Sequence, residues 1–283
     1  MGIVFALLCA FCIAGYQIIT KRAYDHYPPS VAFIIDVLFC LLIWLPFGLI
    51  SGVNLSLLPI TFIYALLSAI LAEALFFWIL SKGELSITST ILATFAIYTG
   101  IFSFFINHER VTHTQLIFIL LTIIGTIIVS LPEKIKKSEF KKKAFIIWAL
   151  VGAIAIGFSD TLTKGIIDRA SIGTFLFAIA IIQIPVGLIY LRLEKQSPKV
   201  IFKIIGNSKK YWATITGSFL NVIGTLFLFL AFKNTLASLA SPIVASSPVI
   251  VVLLAVYFLK EKVTLKDKIG LLVTIIGIIG ISL

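Results

Sequence analysis

Charge is scarce in this sequence. Of its 283 residues only 12% are Asp, Glu, Lys or Arg, 60% are apolar, and the mean hydropathy is +1.14. So few charges could not cover the surface of a soluble protein of this length, which excludes a water-solvated globular fold. Cysteine is rare too: Cys9, Cys12 and Cys40 all lie inside apolar runs, and no disulfide framework is implied. Cys9-x-x-Cys12 matches a redox or metal spacing, but small apolar packing is the plainer reading. The three histidines, His26, His108 and His113, sit at the ends of apolar runs. No HExxH, no Ser-His pair and no P-loop accompanies them, so neither a catalytic constellation, a metal site, a cofactor nor nucleotide hydrolysis is expected. Strict apolar–polar alternation is also missing, which excludes a transmembrane barrel.

What the chain has is long apolar runs. Ten of them, near 2–20, 31–50, 60–80, 86–106, 114–131, 144–165, 172–191, 211–232, 236–259 and 267–283, approach the length needed to cross a bilayer; about 20 residues of helix span roughly 30 Å of hydrocarbon. The expected fold is an all-α polytopic membrane protein in the cell (inner) membrane, with its loops against lipid headgroups. The first run is read as a retained span, because no basic residue precedes it and no small-residue cleavage site follows. The net charge of +11 does not point to nucleic acid, since the basic residues flank the runs without aromatic partners. Nineteen of the 23 Lys and Arg fall in alternate connections, chiefly Lys134–Lys143 and Arg192–Lys210. The positive-inside rule places those connections in the cytoplasm and both termini outside.

The chain also says one thing twice. A shift of 152 residues lays Glu109 on Glu261, Val111-Thr112 on Val263-Thr264, Gly125 on Gly277 and Leu131 on Leu283. Earlier echoes run in the same order: Thr20-Lys21…Asp25 with Thr163-Lys164…Asp168, Pro46…Ile50 with Pro185…Ile189, and Lys82 with Lys233. Two five-span units follow, 1–133 and 144–283, joined by the basic loop 134–143. Five is odd, so the second unit enters the membrane from the opposite side. Such inverted repeats are a construction of secondary transporters, with the site near the midplane between the halves.

With Glu109-Arg-Val-Thr and Glu261-Lys-Val-Thr before Gly-containing spans, Gly15…Lys21 and Gly157…Lys164 ending spans 1 and 6, and Ser241-Pro242 and Ser247-Pro248 in span 9, the chain resembles the EamA-type members of the drug/metabolite transporter superfamily. The resemblance covers essentially the whole length. It implies a small-molecule carrier whose cavity is lined mainly by spans 1, 3, 4, 6, 8 and 9. Such families commonly keep both termini cytoplasmic, opposite to the charge count here. Span 4 lacks the prolines of span 9, so the halves are not expected to bend alike.

Polar residues inside the spans are the candidate site. A carboxylate at mid-bilayer costs roughly 2.5–3.5 kcal/mol on insertion scales. Glu73, mid-span 3 with no basic residue within a turn, is the leading substrate or proton site; the structural alternative is a hydrogen bond across a helix interface. Gln17 with Lys21, and Asp160 with Lys164, are each four apart on one helix face, and the second pair is expected to neutralise itself. Asn221 falls one turn from the repeat equivalent of Glu73 and is expected to face it. Asp36 lies near a span end, and Gln183 is read as satisfying backbone freed by Pro185. Ser246 and its neighbours in span 9, like Thr88, Thr90 and Thr94 in span 4, are either close-packing residues or ligands. Tyr16, Trp78 and Tyr98 are candidate aromatic walls. Glu109 and Glu261 are read as anchors at helix starts, paired locally with Arg110 and Lys262.

The expected function is secondary transport of a small polar organic metabolite (an amino acid, amine or nucleoside-like compound) by alternating access, driven by protons or exchange. The alternatives are a passive pore or lipid scramblase and, less so, an intramembrane enzyme. Either a monomer or a homodimer is compatible with the sequence.

Overall fold

A computed structural model describes residues 1–24, 27–82, 85–131, 143–259 and 264–281, and places no strand among them. The chain runs through α1 (Gly2–Tyr24), α2 (Pro29–Ser51), α3 (Leu58–Ser68), a π-helical turn (Ala69–Ala74), α4 (Leu75–Lys82), α5 (Leu85–Ala93), α6 (Phe95–Ile106) and α7 (His113–Ser130). It continues through α8 (Lys143–Ala170), α9 (Ile172–Leu193), the short α10 (Val200–Gly206), α11 (Trp212–Asn234), α12 (Ala237–Ala245), α13 (Ser247–Leu259) and α14 (Leu265–Ile281). Helix is what lipid demands, because only internal hydrogen bonds satisfy the backbone there.

Among the described residues, eight helical stretches are long and apolar enough to cross a membrane, and a shorter apolar one covers Thr90–Ile106. The stretch Leu58–Lys82 holds α3, the π turn and α4 in one span. Helix α14 has 17 residues and begins at Leu265, so Lys266 and Lys268 lie inside its first turn. The helical, multi-pass character read from composition therefore stands, with eight full-length candidates among these residues where ten runs are legible in the sequence. Ile50, Leu42, Leu193 and Phe105 are largely exposed, as lipid-facing side chains must be.

Helix pairs cross between the two parts of the chain: α1 packs on α11, α2 on α9, α3 and α6 on α8, α6 on α12, and α7 on α14. The α7–α14 contact is reciprocal. A Cβ on Gly125 would stand 2.6 Å from the Thr274 amide nitrogen, and one on Gly277 would stand 2.6 Å from the Thr122 amide nitrogen. Glycine is needed at both, since the neighbour is backbone and cannot move aside. The α2–α9 contact behaves likewise, with Gly48 against Gly173 and Leu176 and Gly187 against Ile34 and Val37. Both α7 and α14 open on the same reciprocal cap. Gln115 N donates to Thr112 Oγ1 at 3.2 Å and Thr112 N to Gln115 Oε1 at 3.0 Å. Asp267 N donates to Thr264 Oγ1 at 3.2 Å and Thr264 N to Asp267 Oδ2 at 3.3 Å.

Two apolar helical stretches are interrupted, and they break at the same register. At Thr94, between α5 and α6, the amide and the hydroxyl both donate to the Ile91 carbonyl, at 3.1 and 2.6 Å. At Ser246, between α12 and α13, the amide and hydroxyl donate to the Ile243 carbonyl, at 3.2 and 2.6 Å. Span 4, although it lacks proline, is thus interrupted at the place that matches the break in span 9. A hydroxyl bonded three residues back competes with the helical ladder in both places.

Candidate functional site

The interruptions meet at a cavity of about 120 Å³. Its walls come from α1, the α3–π–α4 span, α5–α6, α8, α11 and α12–α13, including Leu92, Ala93 and Phe95 at one break and Val244, Ala245, Ser247 and Pro248 at the other. Four of the polar residues singled out from the sequence line it together: Gln17, Glu73, Asp160 and Asn221. All four are buried.

Glu73 lies in the π turn, where one extra residue widens the helix and re-aims the side chain; such turns recur at functional positions. Its Oε2 accepts from Gln183 Nε2, while its Oε1 is buried without a hydrogen-bond partner among the described residues. Gln183 does not serve the backbone beside Pro185, as its place in the sequence suggests, but reaches from α9 to hold the central carboxyl. Asp36, one helix further out, accepts from Asn221 Nδ2 at 2.6 Å. Asn221 therefore does not pair with Glu73: each carboxyl has its own amide, because α2 packs on α11 while α9 packs on the π turn.

The expected Asp160–Lys164 pair is also corrected. Lys164 Nζ bonds Asp168 Oδ1 at 2.7 Å, and Asp160 Oδ2 instead accepts from Ser241 Oγ at 3.2 Å. Asp168 is half exposed, so the lysine reaches toward the more hydrated of two equally spaced partners. This removes Lys164 from the cavity and leaves Asp160 facing it.

The aromatic candidates stand away from the walls. Tyr16 is fully buried against Phe76 and Phe77, and Trp78 packs edge-on to Trp148 at 5.4 Å. Tyr98 sits over Gly157, where α6 meets α8. Ser246 spends its hydroxyl on the break. The walls are instead apolar through Phe76, Phe77, Phe95 and Phe229, residues that nothing in the sequence separated from the other phenylalanines. The side chain of Lys21 lies outside the described residues, as do Asp25 and Glu261.

Glu109 serves a helix start, but not its own. Its Oε1 accepts from Ala237 N at 3.0 Å, and its Oε2 from Ser238 N at 2.9 Å and Ser238 Oγ at 2.6 Å. A carboxylate from the connection after α6 thus caps the interrupted helix α12, where the dipole favours negative charge. A larger space of about 570 Å³ beside it, between α6 and α7, is walled by Ile101, Phe104 and Phe105, which are exposed. Apart from Glu109, Arg110, His113 and Ser238 at one end its lining is apolar, which marks it as a lipid-facing groove.

A solved crystal structure superimposes on 99% of this chain and 97% of its own, with a TM-score of 0.70 at 13% identity, which speaks for the fold alone. An uncharacterized transporter of Clostridium kluyveri is 25% identical over 291 aligned positions, covering 98% of this chain and 91% of that protein. An uncharacterized protein of Methanocaldococcus jannaschii is 40% identical over 80 residues, which cover 28% of this chain and 58% of that protein. The model of the EamA-like transporter family matches twice, over residues 1–131 and 143–283. Helical spans, a cavity between their interruptions and a family match along both halves agree: the chain belongs to the EamA-like transporter family, a multi-pass membrane transporter.

Proposed function

We propose that the protein is a secondary transporter of the cell (inner) membrane, moving a small polar organic metabolite by alternating access. The observation that carries this reading is the meeting of two matched helix interruptions at one cavity that holds two carboxyls inside an apolar bundle. Ten spans in two inverted units, 1–133 and 144–283 joined by 134–143, are part of the proposal. The reciprocal α7–α14 and α2–α9 contacts support it, since a two-fold axis makes residue i touch j while its equivalent touches the equivalent of j. So do the two breaks 152 residues apart. Exchanging the conformations of such halves opens the cavity to one side and then the other. The coupling is a proton or a counter-substrate; the buried carboxyls that line the cavity suit either, because a carboxyl in lipid must exchange its charge partner when a ligand arrives.

Counterflow tests it. Proteoliposomes preloaded with an unlabelled metabolite mixture and diluted into labelled amino acids, amines or nucleosides should show saturable, trans-stimulated uptake. Flux that rises linearly with concentration and ignores the trans side would mean a passive pore, and lipid flip-flop without solute flux a scramblase.

A further inference from the structure

We infer that the cavity selects an organic ammonium ion, a cation with an apolar body, over a zwitterion or an anion. This rests on the reading of the cavity as a transport site and narrows its substrate class. Two carboxyls face the space, Glu73 from one half of the chain and Asp160 from the other, and no Lys, Arg or His is among its lining residues. One Glu73 oxygen is buried without a hydrogen-bond partner among the described residues, so an acceptor stands ready that the protein itself leaves unused. A buried, unused acceptor is costly in a finished core; in a binding site it awaits a donor.

The apolar lining fits the same class. Phe76, Phe77, Phe95 and Phe229 line the space, and aromatic faces attract a cation as well as an apolar body. A zwitterion would need a charged partner for its carboxylate, and the lining offers only neutral donors such as Gln17, Thr225 and Ser247. The ammonium of Lys164 is committed to Asp168. At the two breaks, where helix ends could bind an anion, the amides of Thr94, Ile97, Ser246 and Val249 all donate to carbonyls three residues back. Pro248 has no amide hydrogen to give. A bare metal ion is also a poor fit: no group of three or more His, Cys, Asp or Glu suited to a metal occurs among the described residues.

Two matched sets of small molecules test the assignment on the full-length protein in detergent, read as the shift in melting temperature. One is phenethylamine, phenylalanine and hydrocinnamate; the other is isopentylamine, leucine and isocaproate. Each set keeps the apolar body and changes only the charge. At least one amine should stabilise the protein, while its zwitterion and anion do not. Glu73→Gln should weaken amine binding roughly 30-fold or more, as expected for removing one partner of a buried charge pair, and Glu73→Asp should retain a measurable shift. Should Glu73→Gln fail to fold, Asp160→Asn carries the same test from the other half. Stabilisation by a zwitterion or an anion equal to that by its amine overturns the assignment, and so does the absence of any amine effect. Counterflow of a zwitterion alone would leave transport standing and sink the cation. Amine stabilisation without counterflow would do the reverse.

Discussion

The two halves of the chain build the cavity from the same kinds of parts held by different means. Each supplies a carboxyl (Glu73 or Asp160), an amide (Gln17 or Asn221) and an interrupted helix. The first half carries its carboxyl on a π turn, held at one oxygen by an amide from α9. The second carries Asp160 on the unbroken helix α8 and ties it to a hydroxyl of Ser241. The second interruption is flanked by Pro242 and Pro248, whereas the first has no proline. The geometry at the two breaks is nevertheless shared down to the donor atoms. The comparison teaches that a proline is not required for such a break, since the same hydroxyl bond marks both and prolines flank only one. It also teaches that the two cavity carboxyls are not equivalent, because Glu73, unlike Asp160, keeps a buried oxygen without a hydrogen-bond partner among the described residues.

The largest effect should come from setting the carboxyls against each other. Glu73→Gln should weaken amine-dependent stabilisation roughly 30-fold or more, and Asp160→Asn by a smaller factor, since Asp160 already spends part of its charge on Ser241. Titrations of the two variants with phenethylamine and isopentylamine decide it; equal losses would make the carboxyls equivalent after all. Next is the capping of the second interrupted helix by the first half. Glu109→Ala removes the acceptor of three hydrogen bonds at the start of α12 and should cost about 2 kcal/mol, the upper range for a cap, read as a lower melting temperature. Glu109→Gln should recover part of it; a wild-type melting temperature in Glu109→Ala would mean the cap is replaceable by water.

Smaller still are the breaks. Thr94→Val and Ser246→Ala remove one part-buried and one buried hydroxyl bond and should each cost about 1 kcal/mol. Pro248→Ala gives the second half the alanine found at the matching place, Ala96, and should disturb ligand-dependent stabilisation less than Ser246→Ala. A larger effect from the proline would return the break to the ring. The smallest effect belongs to Asp160 and Lys164. A double-mutant cycle of Asp160→Asn and Lys164→Met should be additive within about 0.5 kcal/mol, as for side chains that do not meet. Strong coupling would restore the pair that spacing suggests.

Much of the architecture is legible before any coordinates. Long charge-free runs force helices because lipid offers the backbone no other partner. The echo of Thr112…Gln115 in Thr264…Asp267 announces two helix starts, and both carry the reciprocal cap. Glu73 and Asp160 stand out because charge inside a span needs a reason. Gln183 could also have been found: the shift that aligns Pro46 with Pro185 places it on Trp44, whose Nε1 donates across the bundle to the Val222 carbonyl at 3.0 Å. Both positions therefore send a donor to a neighbouring helix.

Partner choice is what composition and spacing left open. Periodicity puts Lys164 within reach of Asp160 and Asp168 alike, and the exposure of Asp168 against the burial of Asp160 favours the second. Glu109 belongs to the connection after α6 in sequence and to the start of α12 in space, because the crossing of α6 on α12 brings a carboxylate to free amides 128 residues away. The same holds for the phenylalanines: 24 are present, and packing alone decides which four line a cavity and which face lipid. The sequence determined which groups must avoid lipid, since that is a property of each side chain's transfer free energy. Only the tertiary structure decided what each meets there, since that depends on the register at which separate helices cross.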